Sequence, residues 1–581
     1  MMIPSALRQP QPSLRAFGKK HPFVSWYIPA AQYHERHFPC GCRDRSFVKQ
    51  DEYFFDREDA TWPTSQAELD EIWRERVKYD ALRLKMTGKD WEGIKEVLTK
   101  RYKNAEKRLV QSNSEDAFQI VLNSLARTIE AHTSYLSPRR AEQFKMDMDL
   151  ELEGIGAVLT PDEDYTVIRS LVPGGPADKT EQIKADDRII GVAQDGEDFT
   201  DVIGWRLDDV VDLIKGPKGT KVRLQYLKGA DAHGTPKVVE ITRDKIRLED
   251  RAAKSEVFEA KYSDLSSKIG VIEIPGFYNN LSKDVKVELA KLKEAKVDGI
   301  IIDLRQNGGG SLYEATQLSG LFFDQGPVVQ IHTLNNRIEE QRDRDGVTYY
   351  DGPLTVLVDR YSASASEIFA GAIQDYKRGV ILGEQSYGKG TVQNVRGLQD
   401  FLRDKQEEEL GLLKYTIAKF YRASGGSTQH KGVTPDIQYP SIYNAEEFGE
   451  SSKPSALPWD QIPTADFTPL DYVNDDLLKA LRTRHNQRLK NDQTLVDLQY
   501  DVEQVKKDRM REQVSLNLSV RQKEKKEREE KRAARVKIGA SLTELEANKV
   551  EDRSLEDLKD TYLKESIKLL ADQIQSGKSK G

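Results

Sequence analysis

Between Ser267 and Asp436 short apolar runs alternate with stretches of helical spacing, and no other feature limits the fold of this chain as much. The runs Lys268 to Ile274, Gly299 to Leu304, Leu354 to Val358 and Gly379 to Leu382 read as strands. Ser311 to Phe322 and Ser366 to Tyr376 read as helices. Such alternation implies an α/β layer fold.

The flanking regions have a different texture. From Ser65 the pattern is helical: Ser65 and Glu68 are spaced as a capping box before Leu69, Ile72, Trp73 and Val77. The helical module continues through Trp91 to Lys107 and Asp116 to His132 and breaks near Pro138. Between about Leu150 and Asp250, Gly-punctuated Val, Ile and Leu runs (Gly154 to Leu159, Tyr165 to Val172, Asp187 to Val192, Lys221 to Leu227) read as a small β-rich domain. After Pro440 a Pro- and Ser-bearing stretch leads into charged helical sequence. A length of 581 residues accommodates the three or four domains these textures describe.

Composition excludes several classes. Charged residues are 32% and hydrophobic residues 38%, enough apolar material for several cores, so wholesale disorder is out. With 89 basic and 96 acidic residues the net charge is −7, which argues against a global positive field for coating nucleic acid. The local exception is Arg521 to Lys537, with nine bases and four acids, which reads as a solvated or coiled helix, the alternative being a nucleic-acid or membrane-surface patch. No run approaches the 18 apolar residues of a membrane-spanning helix. Cys40 and Cys42, one residue apart, suit neither a zinc site nor a disulfide framework, and no metal is expected. Residues 1 to 34 hold Arg8, Arg15, Lys19 and Lys20 and no acid, but Pro22 to Ala31 is interrupted by Ser25 and Pro29 and makes no convincing secretory signal.

Three segments of the α/β region look unlike packing sequence. Ile300-Ile301-Ile302-Asp303 runs through Leu304-Arg305-Gln306-Asn307 into Gly308-Gly309-Gly310 just before a helix, where free amides can meet a developing oxyanion. Ser362-Ala363-Ser364-Ala365-Ser366-Glu367 opens a helix after a strand and offers a nucleophile or an N-cap. Gly383 to Gln393 resembles the start of a phosphate loop, but Gly390 stands where Ser or Thr must hold magnesium, and Thr391-Val392-Gln393 is β-prone. Lys389 between glycines, with apolar flanks, reads either as a solvated loop lysine, the commoner case, or as a desolvated amine. Together the segments suggest a serine hydrolase with lysine as base, since His332 and His430 lack partnering motifs. A base lysine must lose roughly three pKa units from about 10.4, at a cost on the order of 4 kcal/mol. On the residues alone the choice among Ser362, Ser364 and Ser366 stays open.

These motifs closely resemble the carboxy-terminal processing, or tail-specific, serine proteases, above all their long Gram-negative members. Other landmarks agree: His132-Thr-Ser-Tyr-Leu-Ser-Pro138, Leu152-Glu-Gly-Ile-Gly-Ala-Val-Leu159, Gly204 to Val211, Pro275 to Tyr278 and Lys431 to Asp436. The resemblance implies a multidomain α+β chain: an α/β Ser-Lys protease core with an inserted β-rich PDZ domain, flanked by N- and C-terminal helical regions. The expected division is a divergent segment 1–50, a helical domain 51–147, a PDZ domain 148–250, the protease core 251–440 and a charged helical domain 441–581. It implies Ser364 as nucleophile, Lys389 as general base and Gln393 as the group that orients it. Gly309 and Ala365 would supply the oxyanion hole, Glu367, Asp375 and Ser386 would support the site, with Arg305 a weaker candidate. Gly154, Ile155, Gly156 and Ala157 would form the PDZ carboxylate-binding loop.

The expected function is therefore a serine endopeptidase that recognises apolar C-terminal tails and needs no cofactor. Expected partners are protein substrates with exposed apolar C-termini and an outer-membrane lipoprotein adaptor, with peripheral membrane contact allowed and nucleic acid excluded. The rival reading is a catalytically inactive PDZ tail-binding adaptor. The resemblance implies a periplasmic location, although residues 1 to 48 show neither the expected upstream helices nor a secretory signal.

Overall fold

The computed structural model describes residues 47–57, 60–229, 235–262, 265–324, 326–333, 335–343, 345–402, 410–444, 446–539, 553–554 and 558–578. The expected divergent segment, the two cysteines and the Pro22 to Ala31 stretch fall almost wholly outside them. The chain divides into two compact units, residues 1–118 with 490–548, and residues 119–489 with 549–581. The stretch 441–581 is thus shared between both units.

In the first unit, helices Gln66–Met86 and Trp91–Val110 bury Val77, Ala81, Leu82, Ile94 and Leu98 with Phe47. Ser65 caps the first helix through Glu68 N (3.3 Å), but the Glu68 carboxylate reaches Thr64 N (2.7 Å), one residue before the cap. Helices Gln493–Arg509 and Leu518–Gly539 belong to the same unit, and the strand Glu52–Phe54 pairs antiparallel with Gln513–Ser515. The basic stretch from Arg521 lies in the second of these helices.

The second unit carries the β-rich domain and the α/β core. The β-rich domain is a sheet in the order Ala157–Asp162, Tyr165–Leu171, Arg188–Gln194, Lys221–Leu227, Lys237–Thr242, with the helix Leu207–Ile214 packed on it. Ile168, Ile189, Val210, Ile214, Leu224 and Ile241 fill its core. The expected strand from Gly154 to Leu159 is broken: Gly154 ends the strand Glu151–Gly154, and Ala157 starts the next.

The core sheet runs Ile437–Gln438, Val380–Gly383, Leu354–Val358, Gly299–Asp303, Leu265–Glu273, Lys254–Tyr262, Arg553–Ser554. Its pairings are parallel except for the hairpin Lys254–Tyr262 with Leu265–Glu273. Both faces are covered, which explains the unbroken apolar run of Gly299–Asp303. Ile300 and Ile302 join Val356 and Ile381 beneath helices Leu281–Glu294, Leu312–Gly320 and Ala365–Asp375. Ile301 faces the other way with Leu357 and Leu382, against Ile567, Leu570 and Ile574 of the C-terminal helix Thr561–Lys578. A second sheet places Pro327–Thr333 and Thr391–Gly397 on either side of Leu412–Tyr421, whose first residues also pair with Ser134–Leu136. No helix among the described residues is long and apolar enough to cross a membrane.

Candidate active site

Three neighbouring parallel strands deliver the three singled-out segments to one place. Gly299–Asp303 leads into the glycine triplet, Leu354–Val358 into the serine cluster and Val380–Gly383 into the lysine loop. Sheets of this kind build ligand sites outside the carboxyl ends of their strands.

The three serines have different neighbours. Ser362 Oγ donates to Leu304 O (2.8 Å) and accepts from Asp359 N (2.9 Å), and Ser366 Oγ donates to Asn307 O (2.9 Å). Both side chains are fully buried. Ser364 is only partly buried and sits at φ 56°, ψ −110° at the start of the helix Ala365–Asp375. A non-glycine residue there stores on the order of 1–3 kcal/mol of strain that the surroundings must hold. Asn307 O fixes the preceding turn by accepting from Ala363 N (3.1 Å), and Glu367 Oε2 accepts from Ser364 N (2.7 Å). Gly309, at φ 99°, lies against this turn, where a Cβ would come within 2.7 Å of Ala363 O and 2.8 Å of Ser364 Cβ. Only glycine fits. Its own N–H donates to Asn307 Oδ1 (2.9 Å), so the amide expected to receive an oxyanion is engaged within its loop. Ala365, the first helical residue, has no intrahelical acceptor for its N–H.

Lys389 is half-buried and donates to Gln393 Oε1 at 2.5 Å. Burial, assisted by the like charge of Lys414, brings its ammonium down to about 8, while Glu450, Glu367 and Glu130 pull the other way. Gln393 follows Lys389 by four residues on the strand Thr391–Gly397, which is the β-structure that the sequence opposed to a phosphate loop. Its Nε2 donates to Thr391 Oγ1 (2.9 Å) and Thr416 Oγ1 (3.0 Å).

Glu367 joins the serine turn to the lysine loop. Besides Ser364 N, its carboxylate accepts from Lys389 N (2.9 Å), Gly388 N (2.6 Å) and Ser386 Oγ (2.7 Å). Burial raises it to about 7 against the pull of these hydrogen bonds. Ser386 is therefore part of this cluster. Asp375 lies elsewhere, at the other end of its helix, with Arg422 Nη2 at 2.5 Å and Nε at 3.1 Å. Arg305 also faces away from the lysine, bridging Asp303 (Nη2 to Oδ2, 2.6 Å) and Asp560 (2.7 Å).

Sequence reasoning did not single out a polar shell behind the lysine. Gly390 N donates to Gln429 Oε1 (2.8 Å), Gln429 Nε2 donates to the buried Glu450 (2.8 Å), and Glu450 faces His132 Nε2 (2.8 Å). Thr416 Oγ1 donates to Glu130 Oε2 (2.9 Å). The motif beginning at His132, legible as a family landmark, was the available signal.

The loop Gly154–Ala157 has the orientation that carboxylate capture needs. Ile155 O accepts from Ala177 N (2.8 Å) and Gly156 O from Val172 N (2.8 Å), so both carbonyls point into the β-rich domain. In a trans peptide the following N–H points the opposite way, which turns the amides of Gly156 and Ala157 outward. Ala157–Asp162 ends the sheet order, with no strand beyond it among the described residues.

Comparison with known proteins agrees over most of the chain. The tail-specific protease of Haemophilus influenzae is 44% identical over 536 residues, spanning 90% of this chain and 75% of that protein. The chain belongs to the tail-specific protease family. Family models described as tail specific protease N-terminal domain, PDZ domain, peptidase family S41 and C-terminal domain of tail specific protease match residues 42–139, 143–227, 268–439 and 443–575. As a tail-specific protease it is a serine-type C-terminal processing peptidase with a PDZ domain. A probable CtpA-like serine protease of Staphylococcus aureus is 29% identical over 56% of this chain and 61% of its own. Among solved structures, the PDZ domain of a carboxy-terminal protease from Vibrio cholerae in complex with peptide is 62% identical, covering 17% of this chain and 99% of that one (TM-score 0.17). The photosystem II D1 C-terminal processing protease is 25% identical over 66% of this chain and 97% of that one (TM-score 0.33).

Proposed function

We propose that this tail-specific protease cuts peptide bonds with Ser364 as nucleophile, Lys389 as general base and Gln393 as the residue that aims the lysine. One observation carries the reading: the strained serine turn and the lysine loop share the Glu367 carboxylate as hydrogen-bond acceptor. With its ammonium lowered to about 8, roughly a tenth of Lys389 is neutral at pH 7. The neutral amine takes the Ser364 proton as Oγ attacks the peptide carbonyl carbon. The oxyanion that forms meets the Ala365 N–H, and Gly309 N–H once it leaves Asn307. Collapse breaks the C–N bond, the amine leaves with the proton from Lys389, and water then hydrolyses the acyl-enzyme.

The substrate is a protein whose free, apolar C-terminus docks at Gly154, Ile155, Gly156 and Ala157 and extends as a strand beside Ala157–Asp162. Outward amides and an open sheet edge support this mode. The test is acylation by a fluorophosphonate probe and cleavage of an unstructured apolar-tailed protein. Ser364→Ala and Lys389→Ala are expected to abolish cleavage, and Ser364→Ala also labelling, with unfolding temperatures unchanged. Cleavage by purified Ser364→Ala overturns the assignment, and tail binding without labelling by the parent leaves a catalytically inactive adaptor. The family resemblance also carries a periplasmic location and a lipoprotein adaptor, which fractionation and co-purification of the native protein test.

A further inference from the structure

The direction of the hydrogen bonds that reach Lys389 through Gln393 traces to one carboxylate outside the expected protease core. Glu130 follows the helix Ser114–Ile129 and precedes the strand Ser134–Leu136, in which Ser134 lies opposite Lys414. It is buried, and its Oε2 accepts from His132 N (3.0 Å), Thr133 N (2.8 Å), Thr133 Oγ1 (3.0 Å) and Thr416 Oγ1 (2.9 Å). An ionised carboxylate only accepts, so Thr416 spends its single proton on Glu130. Thr416 must then accept from Gln393, as Thr391 Oγ1 also does (2.9 Å), which turns the Gln393 amino group toward them and the carbonyl toward Lys389. A carbonyl facing Nζ takes one N–H and leaves the lone pair of a neutral amine free for the serine proton. A flipped carboxamide would offer N–H donors to that same lone pair. Glu130 Oε1 is buried without a hydrogen-bond partner, which costs about 1–3 kcal/mol and is retained in the shell behind the lysine.

We propose that Glu130 is a positioning residue of the proteolytic centre, fixing the polarity of the relay Glu130–Thr416–Gln393–Lys389 and countering the positive charge that Lys389 shares with Lys414. The charged groups around Lys389 are Glu367 from the serine helix, Glu450 from its loop, Lys414 from the strand Leu412–Tyr421, and Glu130. Glu130 attracts both lysines, while Lys414 repels a proton on Lys389. The inference rests on Lys389 being the general base.

The test uses the full chain and pre-steady-state acylation by a peptide substrate across pH 6 to 10. Glu130→Gln can donate to Thr416, so the relay can reverse; kcat is expected to fall about tenfold or more with KM unchanged, part of the 10²–10⁴ that a general base supplies. With the carboxylate gone the Lys389 ammonium is less favoured, so the acidic limb moves to lower pH. Lys414→Gln removes the repulsion and moves the limb to higher pH. Thr416→Val, close in shape, reproduces the loss in kcat, whereas Thr416→Ser restores it. These Thr416 variants keep the test decisive if Glu130→Gln does not fold. Parental kcat and pH profile in both Glu130→Gln and Thr416→Val overturn the proposal. Cleavage by Lys389→Ala would instead remove the reading beneath it.

Discussion

The backbone amides of Ser364 and Lys389 donate to the same oxygen, Glu367 Oε2, at 2.7 and 2.9 Å. One carboxylate thus sets the spacing of two loops that leave adjacent strands. Its other oxygen takes Gly388 N and Ser386 Oγ, so a carboxamide would place N–H groups against donors on one side. Glu367→Gln is expected to cut the acylation rate roughly 100-fold, since misplacing reacting groups by about 1 Å costs that much. Glu367→Ala additionally leaves buried donors unpaired, each worth about 1–3 kcal/mol, and lowers stability. Fluorophosphonate labelling rates and urea unfolding check both; parental labelling by Glu367→Gln would show that the clamp is dispensable.

A pH dependence follows from the same cluster. Lys389 must be neutral to accept the serine proton, and burial has brought it to about 8. Acylation is therefore expected to rise as pH increases through about 8. Glu367, held up near 7 by burial, takes a proton as pH falls and loses acceptor capacity, which steepens the decline on the acid side. Stopped-flow acylation between pH 6 and 10 is the measurement, and a rate unchanged over that range contradicts a lysine base.

The C-terminal helix enters the stability of the catalytic sheet. Glu565, on Thr561–Lys578, accepts from Arg488 Nε (2.9 Å) and His485 Nδ1 (2.7 Å), and Asp572 on the same helix accepts from Arg488 Nη1 (2.8 Å) and Arg484 Nη1 (2.8 Å). These groups are buried apart from Arg484, so Glu565→Ala strands a guanidinium and is expected to cost roughly 3–5 kcal/mol. Since Ile301, Leu357 and Leu382 pack on this helix, chemical denaturation followed by probe labelling should show activity and folding lost together.

What the sequence made legible depended on whether a local rule decided the outcome. Buried strands such as Leu354–Val358 were bounded closely because an apolar run between turn residues has few alternatives. The helices Leu281–Glu294 and Leu207–Ile214 were not marked as such, because short polar-faced helices lack an unbroken signal. Ser364, Lys389, Gln393, Glu367 and Ser386 come together through strand order, which the sequence pattern does not encode directly. Asp375 lies one helix length away, where its partner Arg422 holds the helix end. Glu130, Thr416, Gln429 and Glu450 escaped notice because their contacts span up to 318 residues. The Gly309 amide is a local surprise, since Asn307 two residues earlier supplies an acceptor.

Tail recognition gives the last prediction. The outward amides of Gly156 and Ala157 can bind a carboxylate but gain little from an amide, and hydrogen bonds to a charged group are worth about 1.5–3 kcal/mol. A fluorescent peptide with a free apolar C-terminus is expected to bind the full chain at least about tenfold tighter than its amidated form, one factor of ten being about 1.4 kcal/mol. Gly156 sits at φ 74°, and an added Cβ would come within 3.2 Å of Ile246 Cδ1 and 3.5 Å of Val172 Cβ. Gly156→Ala therefore displaces the loop and should erase the difference between the two peptides. Anisotropy titrations at matched ionic strength measure it, and equal affinities for both peptides in the parent would refute carboxylate capture at this loop.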